Sequence, residues 1–482
     1  MRPAGAALRP AVNGGGSYHL VHPDPLATLA LLNGIEPAAP QRCRVLTLGL
    51  SEDAITPMAL ELPESTFVAA AAAIEGPFDY ILCDGVFSRF DERARQQIFA
   101  IVKAMLAPNG IACVGYQTYP GWHLRQQLRE MLTYHTRGTD DPAEKAARAH
   151  ELVQFLAETA GNGDDAHARF LRDARQHFDV DEYLHAASEP VYFRDFAARA
   201  AMHGLQYAGE AEAHDAEIDN LAPDVANKLR AFAGNTIDLQ QYLDFVVNRA
   251  YRRSLLVHTG TRLDRTMNPA RMRRLYAASA CRAVSAEPDL RDVVSEGFQT
   301  ETGKTFSSEH SVTKATLVEL AARWPRAVAF DELAAGVEAR LRFAHVQADV
   351  AGALPDLLHA LFWSGVVSLH VAPPRCMETV SERPQVTELA RRQAAAGEPV
   401  LNQRRRAIRL DDPIALFLLP QLDGTRDRAA LLRLLDETVA SGRLDIRPDG
   451  AAIPDPSRIP SVLEAVLDHH LRKMAQLALL VD

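Results

Sequence analysis

Apolar residues in the first part of the chain fall into short runs bounded by turn residues. Residues 43–50 (CRVLTLGL) and 78–83 (FDYILC) have this form, the pattern of parallel strands buried on both faces. A weaker run, 65–68 (STFV), predicts another strand between them. From Asp91 the period becomes helical: Ile98, Ile101, Val102 and Met105 share one stripe, and Asp91 stands at the N-cap. Ala107-Pro108-Asn109-Gly110 predicts a turn into the strand IACVGY, and the loop QTYPGWH follows. Strands alternating with helices predict a doubly wound α/β sheet. From Leu124 the pattern is helical, through Leu124, Leu128, Met131 and Leu132 at first. A later stripe joins Leu239, Leu243, Val246, Ala250 and Val257, with Arg249, Arg252 and Arg253 alongside. Those arginines suit either a grip on an acidic partner or a solvated, salt-bridged face. Residues 286–304 read as a loop and a domain boundary. Residues 313–371 read helix–helix–helix–strand, with Trp324-Pro325 closing one helix and VVSLHV as the strand.

Length and composition narrow the classes. A chain of 482 residues predicts roughly three domains. Its hydrophobic fraction of 47% and charged fraction of 24% place it among globular proteins. A net charge of -10 argues against a dedicated nucleic-acid binder. Arg404-Arg405-Arg406 is the one strongly basic run, and it is short. No apolar run has the length of a membrane span. Residues 1–16 read as a loose Pro/Gly-rich arm without the apolar segment of a secretory signal. Five scattered cysteines predict reduced thiols and a cytoplasmic setting, and no metal-ligand spacing appears.

Two stretches carry candidate chemistry. The first strand runs into Gly49-Leu50-Ser51-Glu52-Asp53-Ala54. Such a turn cradles a ligand through glycines and a helix N-terminus. Here a single glycine, Gly49, remains. Glu52 and Asp53 can take a cationic group or simply occupy the favourable first turn of a helix. The second strand ends in alanines 69–73, where an acid would take ribose hydroxyls. The next strand begins at once, so a βα unit of roughly 30 residues is missing. Asp84-Gly85 then closes the strand 78–83 at the carboxyl edge. The second stretch is the aromatic group Tyr116, Tyr119, Trp122 and His123, which sits where an acceptor would arrive. A turn at Pro120-Gly121 packed down by Trp122 explains the same residues equally well. Farther on, His185, Glu189 and Tyr192 can reach the mouth of such a site or lie at a solvated helix end.

RVLTLG, FDYILCDGVFSRF and LAPNGIACVGYQTYPGWHLR resemble bacterial class I S-adenosylmethionine (SAM)-dependent methyltransferases that carry a methyltransferase regulatory domain. That group includes protein-lysine methyltransferases acting on outer-membrane proteins. The resemblance also takes in residues 222–258 and the C-terminal third, and departs from the family at Gly49–Ala54 and near Ala71. It implies an α/β Rossmann-like methyltransferase domain with a shortened sheet. A mostly α-helical regulatory domain and an α+β winged-helix-like C-terminal domain would follow. The implied boundaries are an arm at 1–16, the methyltransferase domain with its helical extension at 17–215, the regulatory region at 216–300 and the winged-helix-like region at 301–482. It further implies SAM as cofactor, held at Gly49, Glu52, Asp53, Asp84 and Gly85, without a metal. The acceptor side would be Tyr116, Tyr119, Trp122 and His123, and a protein or peptide lysine the acceptor. A homodimer is the implied assembly. The departures open an alternative: a catalytically inactive relative acting as a regulatory or binding subunit, paired with an active homologue. A winged-helix DNA-binding regulator is a third, weaker reading.

Overall fold

The computed structural model describes residues 18–69, 74–161, 163, 165–176, 178, 180–184, 189–444 and 459–481. The expected arm, alanines 70–73 and His185 lie outside the described residues. The chain divides into two compact units, one spanning Leu20–Thr266 and one containing Met267–Asp482.

The first unit is built on a six-stranded sheet. Its strands are β1 (Arg44–Thr47), β2 (Thr66–Ala69), β3 (Phe78–Cys83), β4 (Leu106–Gln117), β5 (Leu205–Glu210) and β6 (Tyr251–His258), in the order β2-β1-β3-β4-β6-β5. The first four run parallel, β6 runs antiparallel to β4, and β5 antiparallel to β6. The apolar runs at 43–50 and 78–83 are therefore central strands, as their unbroken hydrophobicity requires. Only residues 70–77 link β2 to β3. That is too short for a helix and a further strand, so β2 is the edge of a shortened sheet.

The helix Glu92–Met105 follows β3, and Asp91 caps it by accepting from the Ala94 amide at 2.8 Å. It buries Ile98, Phe99 and Val102 in one cluster with Phe78, Ile81, Cys83, Ala112 and Val114. Phe196 and Ala200, from the helix Phe193–Met202, complete that cluster. Full burial of a side chain such as Phe99 contributes about 1.5–3 kcal/mol. Between β4 and β5, the helices Trp122–His135, Pro142–Ala160 and Ala166–Gln176 form a helical insertion with its own core of Leu128, Leu132, Val153, Leu171 and Tyr183.

Three local expectations need correction. The turn at 107–110 is a bulge inside β4: Phe78 pairs with Leu106, but Tyr80 pairs with Ile111. The helical stripe through Val257 stops at Val247, because Asn248 adopts the left-handed conformation (φ 52°) and ends the helix. Tyr251–His258 then joins the sheet as β6, so the region 216–300 is not wholly helical. The expected loop at 286–304 contains the strand Glu296–Gln299, paired with Thr305–Ser308.

The second unit holds helices Ser311–Arg323, Phe330–Phe343 and Val350–Trp363 beside a small sheet, where Tyr276–Ala278 lies between Val328–Ala329 and Ser368–His370. This is the expected helix–helix–helix–strand order with two strands added, one before the first helix and one between the first and second. A last module packs helices Glu388–Ala396, Arg428–Ala440 and Ile459–Gln476 around Leu418, Leu431, Leu435, Leu467 and Leu471. The arginine run is not a basic surface. Arg404 donates to the Pro325 carbonyl and the Ser368 hydroxyl and lies over the Trp324 ring; burial pulls its pKa down to about 10. Arg405 is buried and Arg406 pairs with Glu301. The DNA-binding reading therefore loses the run that motivated it.

Candidate functional site

Successive side chains on a strand point to opposite faces, and β6 uses this to send two arginines to two networks. On one face Arg252 donates to Asp244 (2.8 Å) and pairs with Glu210, while Ser254 joins Glu210 to the Tyr116 hydroxyl. On the other face Tyr251 and Arg253 close on Asp84, just past the carboxyl end of β3. Arg253 Nε lies 3.1 and 3.0 Å from the two Asp84 oxygens, and Arg253 also pairs with Glu212. The Tyr251 hydroxyl donates to Asp84 Oδ1 at 2.8 Å and accepts from the Gly85 amide at 3.0 Å. Burial, with Asp84 alongside, pushes the Tyr251 hydroxyl well above its usual pKa, so it remains a donor. Burial likewise pushes the Glu212 carboxyl up against the pull of Arg253. Gly115 makes the closure possible: a Cβ there would sit 1.8 Å from Asp84 Oδ1 and 2.5 Å from the Tyr251 oxygen.

The sequence places Gly49, Glu52, Asp53, Asp84 and Gly85 in one site, and the fold brings the ends of β1 and β3 side by side. Gly49 turns the chain with φ +76° into the helix Glu52–Glu61, whose N-cap Ser51 makes no side-chain cap bond. Glu52 is exposed in its first turn; the Asp53 side chain lies outside the described residues. Gly85 (φ +78°) has nothing within 4 Å of a Cβ position. An open glycine beside a helix N-terminus fits an elongated ligand carrying charged ends. Against Gly49 itself, however, lies Val86: a Cβ on that glycine would fall 2.8 and 2.9 Å from the two Val86 methyls. Gly49 itself is exposed, so Val86 bounds only the side on which a Cβ would point. A cleft of about 720 Å³, lined by Lys103, Leu106, Asn109, His258 and Arg262, opens at the start of β4 and so belongs to the opposite edge of the sheet. Among the described residues no group of three or more His, Cys, Asp or Glu could hold a metal ion.

The four acceptor-side candidates separate. Tyr116 is fully buried, stacked on Phe196 at 4.0 Å and bonded to Ser254; it shares the core face of β4 with Ala112 and Val114. Trp122 is 1% exposed and stacks on Tyr183, so it anchors the helix it begins. Tyr119 and His123 remain at the surface, stacked at 4.3 Å, with Tyr119 half-buried and His123 exposed. Partial burial and neighbouring Tyr192 raise the Tyr119 hydroxyl above its ordinary value. Tyr192 lies 5.4 Å from Tyr119, and Glu189 is exposed close by, within 3.5 Å of Arg95. Tyr251, Glu212 and Val86 escaped the sequence reading, which has Arg253 only as one of three arginines alongside a helical stripe. Arg253 offered one signal: a strand alternation from Tyr251 to Val257 that puts Tyr251 and Arg253 on the same face.

Known proteins share this organisation. Residues 180–258 match the model of a predicted methyltransferase regulatory domain, and residues 382–479 match the PKMT C-terminal winged helix domain. An uncharacterized protein of Rickettsia prowazekii (strain Madrid E) is 24% identical over 513 residues, covering 96% of this chain and 92% of the relative. A second uncharacterized protein of that organism is 30% identical over 132 residues, which cover 26% of this chain and 53% of the relative. The solved structure of PKMT2 from Rickettsia typhi superposes with a TM-score of 0.82 at 24% identity, over 98% of this chain and all (100%) of that one. The same protein in complex with AdoHcy gives 0.81 at 24% identity, over 96% and 99%. The regulatory match contains β5 and β6, so its strands are built into the sheet that carries the site. The chain thus matches a predicted methyltransferase regulatory domain at 180–258 and a PKMT-type C-terminal winged helix at 382–479, and it shares the fold of PKMT2 over nearly its whole length.

Proposed function

We propose that this chain is a SAM-dependent methyltransferase acting on lysine side chains of protein, in the cytoplasm. The observation that carries the reading is a convergence at one edge of the sheet. Gly49, Glu52 and Gly85 at the ends of β1 and β3 lie on the same carboxyl edge as Tyr119 and His123, just past the end of β4. The AdoHcy-bound structure of PKMT2, matched over nearly its whole length, supports the choice of cofactor. Five buried free cysteines accord with a reducing compartment.

Gly85, Gly49 and the amino end of the helix Glu52–Glu61 would hold the cofactor, with Glu52 facing its cationic end. When bound, that group supplies an activated methyl on a sulfonium, so the protein's task is placement. Tyr119, protonated at neutral pH, accepts a hydrogen bond from the acceptor amine and orients it. His123, exposed and stacked on Tyr119, passes the amine's proton to water. Arg253 and Tyr251 hold the β3 end rigid beneath the site.

Two observations favour a second reading, a catalytically silent binding or regulatory subunit paired with an active homologue. Val86 fills the Cβ side of Gly49, and Asp84 is fully engaged by Arg253 and Tyr251. Titration calorimetry of the full chain with SAM separates the two. The enzyme reading expects micromolar binding to the wild type and to Val86→Ala alike, since Gly49 is already exposed. Silence at millimolar SAM in both proteins would sink it.

A further inference from the structure

The helix Thr236–Val247 exposes large apolar side chains at its C-terminal end. Phe245, Val246 and Val247 are 49%, 47% and 43% exposed, and Phe232, just before this helix, is 63% exposed. Of these, Phe245 shares its side of the helix with Tyr242, three positions before it, and exposed rings that gather in one patch mark a recognition surface more often than scattered exposure does. The rings form a connected row. Phe232 lies 5.8 Å from Tyr242, Tyr242 lies 6.0 Å from Phe245, and Phe245 lies 6.3 Å from Tyr192. Tyr192 leads on to Tyr119 and His123. The row therefore runs from an open helix face to the acceptor-side tyrosine. Its course is fixed from below: the Arg194 amide donates to Gln241 Oε1, which ties the helix that follows Tyr192 to the helix that carries Phe245.

The surroundings of the row are acidic. Asp238 stands one helical turn before Tyr242, and Glu189 and Asp195 bracket Tyr192. The segment leading into the row adds Asp215, Glu217, Asp219 and Asp224 against His214, Lys228 and Arg230. Asp215 pairs with Arg249, Asp219 with Arg230 and Glu189 with Arg95, which leaves Glu217, Asp224 and Asp238 as the carboxylates with no ion pair to a base among the described residues. Arg194 is exposed beside Tyr192 and pairs with Asp195. Ring faces with a carboxylate border attract alkyl ammonium groups, through cation–π contact and through packing of the lysine stem. Acidic or purely apolar partners lack that match.

We infer that this row, from Phe232 through Tyr242, Phe245 and Tyr192 to Tyr119, is the docking track for an extended, lysine-rich segment of the protein substrate. The inference rests on the protein-methyltransferase reading for the role of its end at Tyr119, but the track itself binds without cofactor. Fluorescence anisotropy of the full chain tests it, with a labelled lysine-rich peptide and a glutamate-rich peptide of equal length, no SAM present. The lysine-rich peptide should bind in a salt-sensitive manner. Affinity should fall about tenfold in Phe245→Ser and about threefold in Asp238→Lys, and stay unchanged in Phe343→Ser, which alters an exposed ring of the second unit. Phe245 is half exposed, so its replacement keeps the fold, and a melting curve matching wild type verifies that. Equal binding of both peptides, or wild-type affinity in Phe245→Ser and Asp238→Lys, overturns the track. Track-dependent binding in a protein that never takes up SAM would leave the track standing and remove the enzyme reading. Methyl transfer with an unchanged KM in Phe245→Ser would do the reverse.

Discussion

Gly115 is the residue on which the ligand end of the sheet most depends. Any side chain there meets the Asp84 carboxylate, and the only relief is to push that carboxylate off Arg253 and Tyr251. Breaking a buried ion pair on one side leaves an uncompensated charge. Gly115→Ala should therefore destabilise the first unit by about 3 kcal/mol, read as a lower denaturation midpoint; an unchanged midpoint would refute the closure described above. Asp84 also shows where single-residue reading reaches its limit. Its place at the end of an apolar strand made it visible as a site residue, but its partner Arg253 lies 169 positions away. Pairings of that range leave no local trace. The burial of Tyr116, an acceptor-side candidate by sequence, is legible in the strand pattern. Alternation along β4 puts the ring on the face of Ala112 and Val114, inside the core, while the aromatic cluster drew attention to its proximity in sequence to Tyr119.

Elements with a strong local period came through well. The run FDYILC, the stripe of the helix Glu92–Met105 and its Asp91 cap all stand as read. Asp91→Ala removes an acceptor from the Ala94 amide and should cost about 1 kcal/mol, measured by urea denaturation; no change would mean the amide finds another partner. β6 did not come through. Its arginines suit a charged helix face, and in a strand they are tolerated because Glu210, Asp244, Asp84 and Glu212 meet them from other segments. The missing βα unit was legible because it is a matter of length: residues 70–77 cannot hold it whatever their identity.

At the scale of the whole molecule, two surface carboxylates of the second unit are held low. Asp423 is held down at about 2 by the hydroxyl and amide of Thr425 and by Arg426, and Asp289 at about 2 by Arg291. A carboxylate with a lowered folded pKa contributes stability that is present above its ordinary value, 3.8, and lost as pH falls toward 2. Trp324 and Trp363 both lie in this unit. Their fluorescence should report a transition between about pH 4 and pH 2 that becomes shallower in Asp423→Asn. An acid limb identical in the variant would exclude Asp423 as a contributor.

The antiparallel pairing of β4 with β6 also sets a clock. Gln117 pairs with Tyr251, so β4 waits for a strand that lies 134 residues farther along the chain. At 5–20 residues per second a ribosome needs roughly 7–27 s to make that stretch. Throughout that interval the nascent sheet presents the free edge of Ala112–Gln117, apolar and ready to pair with any strand that arrives first. The helical insertion after Trp122 is synthesised in the same interval and is the chain's own first candidate to shield it. A protein built this way depends on chaperone cover during translation more than its finished structure would lead one to expect.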